Sequence, residues 1–177
     1  MSLNDTPSSE RTRIGFFGLR NAGKSSLVNA VCAQEVSVVS RISGTTTDPV
    51  RKSMELLPLG PVVIVDTPGI DDAGELGKRR VERARAELEN CDIAVLVVDA
   101  TRGWSPADRA LAALVETCKV VRLTVWSKAD LLDGETRRRL AGEPGALLVS
   151  TRDGSGVDEL KERLARLVRP QPPRPVV

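Results

Sequence analysis

The chain has 177 residues, 41% of them hydrophobic and 28% charged, and its 26 basic and 24 acidic side chains leave a formal net charge of +2. These values describe one ordinary folded domain with a short tail, neither a disordered chain nor a membrane-embedded one. Histidine and tyrosine are absent, which excludes a Ser-His-Asp triad and a His-containing zinc site, and three cysteines (Cys32, Cys91, Cys118), odd in number and far apart, argue against a disulfide framework.

No apolar run approaches the roughly 18 residues of a spanning helix. The opening MSLNDTPSSER carries no apolar core, so no signal peptide is expected and the expected location is a reducing cytoplasm. A charge so near neutral also argues against non-specific nucleic-acid binding.

The first apolar run is Ile14-Gly15-Phe16-Phe17, followed by Gly18-Leu-Arg-Asn-Ala-Gly23-Lys24-Ser25 and a helical pattern at Leu27, Val28 and Val31. Strand, glycine loop and helix in that order match the phosphate-binding pattern G-x-x-x-x-G-K-S. Glycines let backbone N–H groups converge on phosphates, and the helix aims its positive dipole end at them. The segment Asn21, Ala22, Gly23, Lys24, Ser25 and Ser26 is therefore the expected phosphate cradle. Lys24 can bridge the β- and γ-phosphates, and the Ser25 hydroxyl can ligate Mg²⁺. In the following loop, Ser43-Gly-Thr45-Thr46-Thr47-Asp48, a threonine hydroxyl can complete the Mg²⁺ shell while a γ-phosphate is present.

Residues 51–57 favour an extended strand and reach the run Val62 to Val65 through Pro58-Leu59-Gly60-Pro61. That connection suffices for a hairpin but not a crossover, so one strand should be antiparallel. Asp66-Thr67-Pro68-Gly69 then closes the second strand. An aspartate there can hold Mg²⁺ through water, and the Gly69 N–H can meet a γ-phosphate. Asp71, Asp72 and Glu75 follow and could orient water, but none is assignable as the base.

Further strands are expected at Ile93 to Val98, Val120 to Trp126 and Ala146 to Val149. Their near-continuous apolar character fits strands buried on both faces of a parallel sheet. Helices are expected at Glu75 to Leu88, Pro106 to Thr117, Gly134 to Leu140 and Val157 to Val168. Strands alternating with helices give an α/β fold, a mostly parallel six-stranded sheet with one antiparallel strand and helices on both faces.

Ser127-Lys128-Ala129-Asp130 follows the fifth strand. Its aspartate can accept from both N1–H and the exocyclic amine of guanine, a pairing adenine cannot make, while the Lys128 stem can lie over the base. Ser150-Thr151-Arg152, after the last strand, is placed to offer backbone contacts to the base oxygen. The chain is expected to divide into a flexible segment at 1–12, a nucleotide-binding domain at 13–169 and a proline-rich linker at 170–177 leading to domains outside this chain.

These motifs resemble those of the Ras-like P-loop GTPases over Arg13 to Val168. Asn21 and Gly44-Thr-Thr46 are more narrowly similar to the bacterial group of Era, Der and the tRNA-modifying GTPase MnmE. The resemblance implies GTP and GDP as ligands, Mg²⁺ on Ser25, Thr46 and Asp66, and K⁺ on Asn21. It implies hydrolysis of GTP to GDP and phosphate, with Lys24, Thr46 and Gly69 at the reacting phosphate. Ile70 stands where Ras-like enzymes carry a water-positioning glutamine, so turnover should be slow, on the scale of minutes. Arg20, inside the phosphate loop, is expected to point to solvent or a partner.

Three stretches, Gly44 to Val50, Met54 to Val62 and Asp66 to Gly77, resemble the GTPase domain of the HydF family of [FeFe]-hydrogenase maturation factors. That resemblance implies a nucleotide cycle regulating hydrogenase cofactor assembly on the rest of the protein, with hydrogenase-maturation proteins as partners. Related GTPases pair through their switch loops, which allows a homodimer here; no membrane or nucleic-acid partner is expected, and Cys32, Cys91 and Cys118 lack the spacing for an Fe–S cluster in this chain. The alternative is an interaction switch of a ribosome- or tRNA-associated GTPase. One departure is Ser127, where the family's base motif begins with Asn. Its shorter hydroxyl is not expected to reach both the base and the phosphate loop, which weakens binding by about 1 kcal/mol.

Overall fold

The computed structural model describes residues 11–19, 21–32, 50–56, 59–67 and 75–168. Six strands form one sheet in the order β2-β3-β1-β4-β5-β6. They are β1 (Thr12–Gly18), β2 (Val50–Leu56), β3 (Gly60–Asp66), β4 (Ile93–Asp99), β5 (Val121–Ser127) and β6 (Leu147–Leu148). β2 runs antiparallel to β3, and all other neighbours are parallel. The hairpin expected from Pro58-Leu59-Gly60-Pro61 forms, with Gly60 at φ 89° where a β-carbon would be strained.

Each strand sends alternate side chains to opposite faces. In β4 all seven residues are buried. Its Ile93, Val95 and Val97 join Ile14, Phe16, Ile64 and Val125 in one core, while Ala94, Leu96 and Val98 join Phe17 and Trp126 in the other. Helices α1 (Lys24–Cys32) and α5 (Val157–Val168) cover the first face through Leu27, Val28, Val31, Leu160 and Leu164. Helices α2 (Glu75–Glu89), α3 (Pro106–Thr117) and α4 (Gly134–Ala141) cover the second through Leu88, Leu111, Val115 and Leu140. Burying each such side chain is worth about 1.5–3 kcal/mol. Burial on both faces accounts for the continuous apolar runs.

Local signals fix the helix ends. Ser105 caps α3, accepting from the Asp108 N–H while the Asp108 carboxylate accepts from the Ser105 N–H, a reciprocal arrangement that satisfies two otherwise unpaired donors. The Asp133 side chain accepts from the Thr136 N–H to start α4.

Boundaries differ from expectation at β1 and at β6. β1 begins at Thr12 because it pairs from there with Val62, and buried Arg11 donates to the Met54 carbonyl at 3.1 Å. Arg11 and Thr12 belong to the segment 1–12, whose residues 1–10 lie outside the described ones, as do 170–177. β6 shrinks to two residues, paired to Val125 and Trp126. The cysteines are half-buried against the two cores, as small hydrophobes. Among the described residues, no helix is long and apolar enough to cross a membrane.

Candidate functional site

β1, β3, β4 and β5 end side by side: Phe16 pairs with Asp66, Gly18 with Val97 and Asp99 with Ser127. Loops leaving the carboxyl edge of a parallel sheet form the usual crevice for ligands. The expected site residues that the structure describes lie on this edge, in the loops just beyond it or in the first turn of α1.

The loop from β1 to α1 turns through Asn21 at φ 66° and Gly23 at φ 90°, conformations that asparagine tolerates and glycine adopts freely. Lys24 opens α1 and is buried, whereas Ser25 and Ser26 on the same turn are exposed. The Lys24 Nζ donates to Asp66 Oδ1 at 2.7 Å and to the Thr67 carbonyl. Thr67 is pinned in turn by its hydroxyl, which donates to the Phe16 carbonyl at 2.6 Å. The expected phosphate lysine and the expected magnesium aspartate are thus joined directly.

The second half of the site comes from the loop after β5. The Ser127 hydroxyl, buried, lies against the Ala22 carbonyl and 3.2 Å from that of Val98. Lys128 has φ 58°, and its Nζ donates to the Asn21 carbonyl at 2.8 Å and to Asp99 Oδ2 at 2.9 Å. Two consecutive residues of one loop therefore bind two consecutive carbonyls of the other. Ser127 does reach the phosphate loop, so the substitution keeps that tie. What it gives up is the second donor of an amide, because a hydroxyl has a single proton.

Asp130 sits in a 3₁₀ turn, Ala129–Leu131, where its Oδ1 accepts from the Ser150 hydroxyl at 2.8 Å. Ser150 is fully buried, so one carboxylate oxygen is held from below. The three backbone donors expected of Ser150, Thr151 and Arg152 reduce to one. The Ser150 N–H is spent on the Ser155 carbonyl at 2.9 Å and the Arg152 N–H on the Ser150 hydroxyl at 3.2 Å. Among the described residues the Thr151 N–H carries no such bond. The 150–152 turn closes on itself because Ser150 serves as its hub.

Thr46, Gly69, Ile70, Asp71, Asp72 and Arg20 lie outside the described residues. Glu75 is the first residue of α2. Among the described residues no group of three or more acidic or cysteine side chains could hold a metal unaided. Ser25 and Asp66 carry hard oxygen donors of the kind that suit Mg²⁺.

Asp99 is a residue that the motif reading passed over. It is buried at the end of β4, and its Oδ1 accepts from the N–H and hydroxyl of Thr101 at 2.9 and 2.6 Å. Burial pushes its carboxyl upward, but hydrogen bonds from Thr101 and Lys128 outweigh this and hold it below the usual carboxylate range. A buried aspartate closing an otherwise apolar strand, Ile93 to Asp99, was the signal that could have found it.

The 50S ribosome-binding GTPase family model matches residues 13–128. The chain belongs to that family. This GTPase domain is 34% identical over 170 residues to GTPase Der of Kosmotoga olearia, covering 88% of this chain and 38% of that protein. It is 35% identical over 171 residues to the tRNA modification GTPase MnmE of Paramagnetospirillum magneticum, covering 94% of this chain and 37% of that protein. The chain spans about a third of the length of these curated relatives. A crystal structure of Era in complex with MgGDPNP and nucleotides 1506–1542 of 16S ribosomal RNA superposes with a TM-score of 0.71 at 25% identity, covering 92% of this chain and 58% of that one. The fold is that of the Ras-like P-loop GTPases, and the domain is a GTP-binding GTPase of the Era, Der and MnmE type.

Proposed function

We propose that the domain is a slow GTP-driven switch in an RNA-directed protein, hydrolysing GTP to GDP and phosphate with Mg²⁺ and K⁺. The observation that carries the nucleotide site is the double tie of Ser127 and Lys128 to the carbonyls of Ala22 and Asn21, which makes phosphate loop and base loop one unit. The RNA-directed part rests on kinship with MnmE, a tRNA modification GTPase, and Era, crystallised with ribosomal RNA. It departs from the expectation drawn from net charge, which concerns non-specific binding alone.

Asn21, Ala22, Gly23, Lys24, Ser25 and Ser26 cradle the phosphates. Lys24 leaves Asp66 and the Thr67 carbonyl to meet the β- and γ-phosphates. Ser25, Thr46 and Asp66 would hold Mg²⁺ and Asn21 would hold K⁺; both ions would offset the negative charge developing on the phosphates. The Gly69 N–H and Thr46 meet the γ-phosphate side, where water attacks phosphorus and the bond to the β-phosphate oxygen breaks. Asp130 accepts from guanine N1–H and the exocyclic amine, Lys128 lies along the base, and the Thr151 N–H faces the base oxygen.

A second reading is the HydF-like role in hydrogenase cofactor maturation, favoured by the run Met54 to Val62. That run forms much of the β2–β3 hairpin, and Met54, Leu56, Leu59 and Val62 all pack into one core. Part of the match therefore follows from packing, which any protein with this hairpin must satisfy.

The test measures phosphate release in matched KCl and NaCl, then binding of ribosomal RNA and tRNA to the protein loaded with GDP or a GTP analogue. Faster release in KCl and nucleotide-dependent RNA binding are expected. Equal rates in the two salts remove the K⁺ role. Absence of RNA binding, with hydrogenase maturation dependent on this protein, transfers the assignment to the second reading.

A further inference from the structure

β4 ends in Asp99, which no motif of the nucleotide site uses. It is 7% exposed, its Oδ1 is occupied by Thr101, and its Oδ2 takes the Lys128 Nζ at 2.9 Å. The same Nζ donates to the Asn21 carbonyl at 2.8 Å. The ammonium is thus clamped between a buried carboxylate and the phosphate loop. A lysine stem has four rotatable bonds and loses much rotamer freedom when fixed. Ordering it before the ligand arrives takes that cost out of the binding step.

We propose that Asp99 is a positioning residue for guanine recognition, holding Lys128 against the Asn21 carbonyl so that its stem forms a preset wall of the base pocket. This rests on the reading of Lys128 as a base-side residue. Ser127 gives the clamp its weight. With one proton to donate, Ser127 ties the loops once, and Lys128 supplies the second tie only while its ammonium is anchored.

Asp99→Asn retains an oxygen acceptor for Thr101 and removes the charge facing Lys128. The experiment measures dissociation constants of a fluorescent GDP analogue for the unaltered chain, Asp99→Asn, Lys128→Ala and the double variant, with a thermal melt of each. Lys128→Ala is expected to weaken binding about tenfold, and Asp99→Asn about three- to tenfold. The double variant should then be no weaker than Lys128→Ala within about twofold, the mark of residues acting as a unit. Unchanged affinity in Asp99→Asn overturns the inference. So does a loss that adds in full on the Lys128→Ala background, since Asp99 would then act on the fold alone. Unchanged affinity in Lys128→Ala defeats the base-side reading itself, and the inference falls with it.

Discussion

Lys24 and Asp66 are joined at 2.7 Å, with side chains 7% and 22% exposed. The pair satisfies a buried ammonium, and its partner is the carboxylate at the end of β3. On the proposed reading of the site, a nucleotide phosphate competes with Asp66 for the Lys24 ammonium.

Asp66→Ala removes one partner of that pair while the Thr67 carbonyl remains. Leaving the buried ammonium under-satisfied should cost about 1–3 kcal/mol, a fall in Tm of about 2–12 °C for a domain of this size. Thermal melts of the nucleotide-free chain check this. An unchanged Tm would show that the ion pair contributes nothing to the resting loop.

Ser127→Ala deletes the hydroxyl that ties the base loop to the Ala22 carbonyl. A loss of about 1 kcal/mol is expected, hence about a fivefold weaker hold on GDP. Ser127→Asn restores an amide and should tighten binding several-fold. Equilibrium titration with GDP reads both, and tightening in the alanine variant would contradict this role for the hydroxyl.

Gly156 has φ 81°, and a β-carbon there would lie 2.1 Å from the Leu148 carbonyl oxygen. Gly156→Ala combines the left-handed penalty of about 1–2 kcal/mol with an overpacking cost of about 1–3 kcal/mol. Urea unfolding should show a clearly lower midpoint. A midpoint within error of the unaltered chain would mean that the turn beneath Ser150 is not constrained as described.

Cys91 lies half-buried beside Gly15 and Phe17, and burial, with Glu87 and Asp92 adding to it, pushes its thiol up to about 12. At pH about 8 the thiolate fraction is about one in ten thousand, so alkylation should be very slow. Mass-mapped iodoacetamide labelling tests this, and modification at the rate of a small free thiol would contradict it.

Asp99 has a depressed carboxyl, so its contribution is present above the ordinary carboxylate value and is lost only as pH falls through the lower folded one. Between about pH 8 and about pH 5 the Asp99–Lys128 contact should persist, and the part of GDP affinity that depends on it should stay flat. Comparing the unaltered chain with Asp99→Asn across that range isolates this part. Convergence of the two curves before pH 5 would contradict it.

Much of the architecture was legible because burial on both faces writes itself as continuous apolar runs, as at Ile93 to Val98. The hairpin was legible from Pro58-Leu59-Gly60-Pro61, which is too short for a crossover. The places of Lys24, Ser25, Asp66, Lys128 and Asp130 in the fold were legible because each sits at or shortly after a strand end. Long-range partnerships were not legible. Asp99 reaches Lys128 across two strand ends, and Ser150 reaches Asp130 across α4, contacts that sequence spacing does not encode. Nor could the chain show that Ser150 and Arg152 spend their N–H groups on their own turn.

The most direct test compares phosphate release from GTP and from ATP in Mg²⁺ and KCl, for the unaltered chain and for Lys24→Ala. Slow release from GTP, on the scale of minutes, is expected, with none from ATP and none from the Lys24→Ala variant. Equal release from both nucleotides, or release that survives Lys24→Ala, would contradict a guanine-specific site built on the β1–α1 loop and Asp130.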